Sequence, residues 1–135
     1  MQTALTFALM DAPFENSRTV TAFRLIQAAL EAGHDVNVFA YEGAVGLSFA
    51  RQSPHANAVH GHDAGQENHP LPRLWVGELL RLAGRRQCRL DWVNCGLCVD
   101  ERGVDETIEG VRRGSPADFW KMSVESANTL TIGTR

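Results

Sequence analysis

Residues 3–41 read TALTFALMDAPFENSRTVTAFRLIQAALEAGHDVNVFAY. The run 3–9 is short, apolar and rich in β-formers, and Asp11, Pro13 and Asn16 follow it as turn residues. From 18 to 32 the apolar period becomes helical. Val20, Phe23, Ile26 and Leu30 fall on one predicted face, with Asn16 or Ser17 as N-cap and Gly33 as the stop. Residues 35–41 then alternate Val36, Val38 and Ala40 against Asn37, Phe39 and Tyr41, a second strand. Strand, helix and strand in so short a span form a βαβ unit. That unit requires a parallel sheet and a right-handed crossover.

The rest of the chain continues the alternation. Residues 42–53 predict a loop with one helical turn. Residues 54–70 hold almost no large apolar side chain but four of the five histidines, and predict a long, exposed, mobile loop. Pro72 suits the first position of a helix over 72–85 that ends near Gly84, with Leu71, Leu74, Leu79 and Leu82 as candidate core. Residues 88–94 predict a third strand, and 95–103 a turn opening into a short helix that stops at Gly103. A fourth strand is expected over 107–112. Ser115, Pro116 and Asp118 have the form of an N-cap, and start a helix to about 126. Residues 128–133 close the pattern as a fifth strand. The expected architecture is one α/β domain over 1–135, an open sheet with helices on both faces.

Composition narrows the function classes. The 135 residues are 44% hydrophobic and 21% charged, which suits a folded globular chain. Thirteen Lys and Arg against 16 Asp and Glu give a net charge of −3. No basic excess exists to bind phosphates, so no nucleic-acid partner is expected. No apolar run approaches the roughly 20 residues of a membrane helix, so no membrane partner is expected. The apolar stretch near the N-terminus has no basic residues before it and reads as a strand rather than a signal peptide. The cysteines are Cys88, Cys95 and Cys98, an odd number and a poor disulfide framework. A reducing cytoplasm with free or reactive thiols is the expectation.

Open parallel sheets place their chemistry just beyond the carboxyl ends of the strands. Cys95 stands there, after the third strand and at the start of the next helix. Amides at a helix N-terminus favour a thiolate or persulfide. Gly96 lets backbone approach closely and removes a side chain that would shield the thiol. Arg102 adds positive charge, which Asp100 and Glu101 oppose if they face the sulfur. A lone C-x-x-C is a redox pair, half of a zinc site or a coincidence. Zinc needs two further ligands, which Cys88 and the loop histidines could supply, but no second C-x-x-C or H-x-x-x-H pattern exists, so no metal is expected, nor a cofactor. Cys95 also has a plain reading as a small core residue.

The run Cys95-Gly96-Leu97-Cys98, continued by Arg102, Gly103 and Val104, resembles the C-G-x-C-x-x-x-R-G-(I or V) pattern of the DsrE/DsrF-like family of sulfur-relay proteins. Residues 38–45 (VFAYEGAV) are similar to that family's second strand and following turn. Ile108-Glu109-Gly110-Val111, Ser115 to Phe119 and Ala127 to Ile132 resemble its C-terminal tail. The resemblance spans the chain apart from 50–72. It implies a flavodoxin-like three-layer sandwich with a five-stranded parallel sheet, and a homo-oligomer, a trimer or hexamer. It further implies a persulfide on one cysteine and sulfur exchange with TusA-like or other carrier proteins. The active cysteine of such members lies eight residues before the glycine of R-G, a spacing that Cys95 and Gly103 meet.

Cys95 and Cys98 are therefore the candidate catalytic residues, and Asp11, Asn94, Gly96 and Arg102 the candidate binding residues. Cys98 resolves the persulfide or only lines the pocket. Asp11 and Asn94 donate or accept at a bound sulfur species, or simply cap turns. Cys88 reads as a buried structural thiol, Trp92 as core, and the Phe119–Trp120 pair as more aromatic surface than one core needs. The loop histidines read as a solvated segment rather than a metal site. Three functions fit: a persulfide carrier, a C-x-x-C dithiol redox or regulatory module, and a non-catalytic oligomeric ligand-binding subunit.

Overall fold

The computed structural model describes residues 3–15, 17–56, 61–66 and 70–133. The chain runs β1 (Leu5–Leu9), α1 (Arg18–Glu31), β2 (Val36–Ala40), a 3-10 turn (Glu42–Gly46), α2 (Pro72–Arg85), β3 (Leu90–Cys95), α3 (Gly96–Arg102), β4 (Val111–Gly114), α4 (Pro116–Glu125) and β5 (Asn128–Ile132). All five strands are parallel, in the order β4-β3-β2-β1-β5. The predicted βαβ unit is present, with Leu5 to Leu9 in register with Val36 to Ala40.

Strand alternation divides the sheet's side chains between two cores. Phe7, Val36, Val38 and Trp92 face α1 and α2, meeting Phe23, Ile26, Leu30, Val76 and Leu79. Phe39, Val93 and Cys95 face the other way, against Val99 of α3 and Met122 of α4. Three layers result, as expected. Trp92 is fully buried and its ring lies 6.2 Å from that of Phe23. Among the described residues no helix is long and apolar enough to cross a membrane.

Local chemistry explains most element ends. Pro72 opens α2, where its missing N–H costs nothing. Ser115 and Asp118 form the capping box of α4, with the Ser115 N–H donating to Asp118 Oδ2 at 2.8 Å. Gly103 ends α3 at φ +64, a left-handed conformation that glycine adopts without a Cβ penalty.

Four expectations need correction. Val20 is exposed; the buried stripe of α1 runs through Thr19, Ala22, Phe23, Ile26, Ala29 and Leu30. Ser17 holds the N-cap position of α1 but makes no side-chain cap bond, and Asn16 lies outside the described residues. Leu74 is also exposed, because α2 turns Pro72, Val76, Leu79 and Ala83 inward and Leu74 stands across the helix from them.

The fourth correction matters most. The strand expected over 107–112 is instead Val111–Gly114. Residues 106–108 pair with another segment: Thr107 bridges Phe49 antiparallel, Ala50 N–H donates to Glu106 O, and Ile108 N–H donates to Ser48 O. Gly110, at φ +96, then turns the chain into the sheet. The later start brings Arg113 opposite Asn94 and Gly114 opposite Cys95.

Within 54–70, residues 54–56, 61–66 and 70 are exposed and belong to no named helix or strand. Residues 57–60 and 67–69, with His60 and His69, lie outside the described residues. His55 packs its ring 5.1 Å from that of Phe14.

Candidate functional site

Cys95 ends β3 and is the N-cap residue of α3, with extended backbone (φ −62, ψ 117). One strand of polar and apolar alternation, followed at once by a helix, places its sulfur at the carboxyl edge on the α3/α4 side. The expected open thiol is in fact enclosed. Cys95 is 7% exposed, among Phe39, Val45, Val93, Val99 and Met122. The Phe119 ring stacks on Phe39 at 5.3 Å and 9°, and Tyr41 stacks on the same ring at 5.8 Å.

Cys98 is half-buried one turn along α3, with Cys95 the neighbouring thiol. It also accepts the backbone N–H of Glu42 at 3.2 Å. Glu42 has φ +50, a left-handed conformation uncommon for a residue with a side chain. That turn directs an amide at Cys98 from outside its own helix. Burial pushes the Cys98 thiol up; the Glu42 amide opposes this, and the neighbouring Cys95 thiol reinforces it. All three cysteines are free. Cys88 lies at the other end of the strand, half-buried rather than sealed, with its thiol directed at the Arg86 and Leu30 carbonyls.

The charges are arranged differently from expectation. Arg102 donates to Glu42 at 3.0 Å and to the Cys98 carbonyl at 3.4 Å, with Glu101 at 3.7 Å. It therefore ties α3 to the 3-10 turn. Arg113, not singled out from the sequence, reaches the start of α3. Its guanidinium holds Asp100 with two bonds of 2.8 and 2.6 Å. The Asp100 hydrogen bonds hold it above the usual arginine range. Asp100 is correspondingly held below the usual carboxylate range. The signal that could have found Arg113 was the Arg112-Arg113-Gly114 run, concealed by the misplaced fourth strand.

Asn94 is 1% exposed, and strand alternation turns it to the opposite face from Cys95. Its amide donates to Ser48 Oγ at 2.9 Å and to Val45 O at 3.5 Å, while Oδ1 has no partner among the described residues. It lines a cleft of about 70 Å³ with Val99, Asp105, Thr107, Arg112 and Arg113. Asp11 follows β1, two strands from Cys95, and pairs with Arg18 at 3.0 Å. Cys95, Cys98, Gly96 and Arg102 are thus brought into one neighbourhood, with Asn94 behind the sheet and Asp11 apart from them. Among the described residues no group of three or more His, Cys, Asp or Glu is arranged to hold a metal.

Solved structures share this fold. The ychN protein from E. coli superposes with a TM-score of 0.68 at 21% identity, covering 97% of this chain and 99% of that one. A conserved protein of unknown function, BT1422 from Bacteroides thetaiotaomicron, gives 0.54 at 14% identity, covering 96% and 94%. At those identities the likeness is one of fold. No curated protein matches the chain. The profile of the DsrE/DsrF-like family matches residues 3–132, which takes in every strand and helix described above, and the chain belongs to that family.

Proposed function

We propose that this protein is a sulfur-relay carrier that holds a persulfide on Cys95 and passes the sulfane sulfur between protein thiols. The observation that carries the reading is the place of Cys95, at the carboxyl end of β3 and the start of α3, with a second free thiol one turn along that helix. The Cys95 thiolate attacks the outer sulfur of a donor persulfide. A sulfur–sulfur bond forms at Cys95 as the donor's breaks, and the donor thiolate leaves. An acceptor thiolate then takes the outer sulfur and restores Cys95. One sulfur–sulfur bond is exchanged for another, so no external oxidant is needed. Cys98, kept protonated by burial, supplies an S–H beside the reacting sulfur.

Such a carrier works by docking other proteins. TusA-like or similar sulfur carriers in the cytoplasm are the proposed partners, along with further copies of this chain in a trimer or hexamer. Leu97 and Trp120, 69% and 74% exposed, supply apolar contact surface. A second reading is favoured by the Cys95–Cys98 contact itself: a dithiol that loses two electrons and two protons to a partner disulfide and closes as C-x-x-C.

Mass spectrometry after incubation with a polysulfide donor separates these. A gain of one sulfur atom on the Cys95 peptide supports the carrier. Loss of two hydrogens across Cys95 and Cys98 supports the redox module. Neither change leaves the non-catalytic ligand-binding subunit.

A further inference from the structure

We propose that Glu42 is a positioning residue for Cys98: its ion pair with Arg102 holds a left-handed turn in place, and that turn keeps the Glu42 backbone N–H on the Cys98 sulfur. The sequence pattern singles out Arg102 but not Glu42, and Arg102 acts here through Glu42 rather than on the sulfur. This rests on Cys98 being the thiol that works beside Cys95.

Three observations carry it. The Glu42 N–H donates to Cys98 Sγ at 3.2 Å, across 56 positions of the chain. The donor belongs to the 3-10 turn, so α3 does not supply it. Second, Glu42 has φ +50, whereas Gly43 beside it has no positive φ. A Cβ on Gly43 would stand 2.7 Å from the Cβ of Ala12, so that glycine serves the close approach of the segment after β1. The left-handed conformation therefore falls on a residue with a side chain, which disfavours it unless the surroundings hold it. Third, the Glu42 carboxylate meets Arg102 at 3.0 Å, and Arg102 also donates to the Cys98 carbonyl at 3.4 Å. The turn and the cysteine are thus tied together twice, once through the sulfur and once through Arg102.

A sulfur that accepts an N–H keeps its own S–H for another acceptor. Cys95 is the neighbouring thiol, so Cys98 is left able to give its proton to the Cys95 thiolate released when the outer sulfur departs. The Cys98 thiolate so formed retains the amide as its donor. The titratable groups around Cys98 are Cys95 from β3, Tyr41 and Glu42 from the start of the 3-10 turn, and Glu101 and Arg102 from α3 itself. Among them Glu42 acts in two opposite senses. Its amide favours the thiolate, and its carboxylate disfavours it.

That opposition gives the test its sign. Iodoacetamide labelling of Cys98 is followed against pH on the full chain. Fragment-ion mass spectrometry resolves the two thiols of the 90–102 peptide, with Cys88 as reference. Glu42→Ala removes the carboxylate and leaves a residue that resists the left-handed turn. Glu42→Gly removes the carboxylate and accepts the turn. If Glu42 acts by charge alone, both lower the pH midpoint of Cys98 alike. The clasp predicts a midpoint raised by about 0.5–1 pH unit in Glu42→Ala, from weakening a hydrogen bond to a charged sulfur, and a midpoint at or below wild type in Glu42→Gly. Arg102→Gln also raises it, Arg102→Lys restores most of the shift, and the double variant Glu42→Ala, Arg102→Gln matches the larger single one. A midpoint not raised in Glu42→Ala, or equal midpoints in Glu42→Ala and Glu42→Gly, overturns the proposal. If Glu42→Ala melts early, Arg102→Gln is added to Glu42→Gly instead. With no carboxylate to hold, the second change should shift nothing, and a rise there overturns the proposal. No sulfur donor is present in this experiment, so its failure is separate from a failure of persulfide loading on Cys95.

Discussion

On the α1/α2 face of the sheet Trp92 is sealed at 0% exposure, whereas on the α3/α4 face Trp120 stands 74% exposed. The difference runs through the helices. Two helices of 14 residues cover the first face, and their inward stripes interlock with the apolar residues of its central strands. Helices of seven and ten residues cover the second, and α4 buries only Met122. Leu97, Trp120 and Val124 are left outside, as Val20, Leu25 and Leu74 are on the outer sides of α1 and α2, so the contrast lies in how much the helices bury and not in how much they expose. The first face is organised for stability. The second holds Cys95 and Cys98 under a thin cover, with apolar surface around it, an arrangement that suits the proposed exchange with other thiols.

The sharpest way to break this comparison is to remove the thiols one at a time. Cys95→Ser is expected to abolish persulfide loading completely and to lower the melting temperature by several degrees, because it buries a hydroxyl among apolar neighbours, and Cys95→Ala should abolish loading equally. Cys98→Ser slows loading or changes its products, and Cys88→Ser leaves it intact. Intact-mass measurement after polysulfide treatment reads all three. Loading that survives Cys95→Ser would move the chemistry elsewhere.

The two tryptophans provide the next contrast. Trp92→Ala opens a cavity in the sealed face and is expected to cost about 3–5 kcal/mol in denaturant unfolding. Trp120→Ala is expected to change monomer stability by no more than about 0.5 kcal/mol, and to lower the assembly size seen by light scattering. Equal losses from the two would show that the faces are equally packed.

A smaller effect sharpens the α4 side. The backbone N–H of Ser115, aided by Arg112, holds the Asp118 carboxyl below the usual carboxylate range. A depressed folded value means that the ionised cap stabilises above the unfolded aspartate value, near 4, and is lost as pH falls through the folded one. Asp118→Ala should cost about 1 kcal/mol at neutral pH. Urea melts of wild type and variant should converge once the pH is below the folded value. A gap that persists there would assign the effect to packing.

The smallest change is expected from the segment after the 3-10 turn. Deleting 56–67 should move the melting temperature by only a few degrees, since its described residues are exposed and bury no apolar surface. A large loss, or stability that depends on added metal, would revive a role for its histidines.

Much of this architecture is legible along the chain because it depends on local terms. Short apolar or alternating runs pointed to β1, β2, β3 and β5, Pro72 and Ser115 marked two helix starts, and Gly103 marked a stop. The C-G-x-C run also pointed to Cys95 at a strand end, where it stands. The errors share one cause, which is competition between partners distant in sequence. Thr107 and Ile108 have strand character, yet residues 48–50 claim their hydrogen bonds and the fourth strand begins later. Leu74 is as apolar as Leu79, and only the rotation of α2 against the sheet separates them.

Sequence alone therefore determined the order of elements, the parallel sheet and the position of the two thiols, since each follows from periodicity, caps and turn residues within a few positions. Tertiary structure decided what surrounds the sulfur. It enclosed Cys95 between β3 and α3, turned the Glu42 amide toward Cys98 from 56 residues away, gave Arg102 to Glu42, and brought Arg113 to Gly96. Those contacts depend on strand register and on which charge reaches which partner first, and neither is encoded in the neighbours of any one residue.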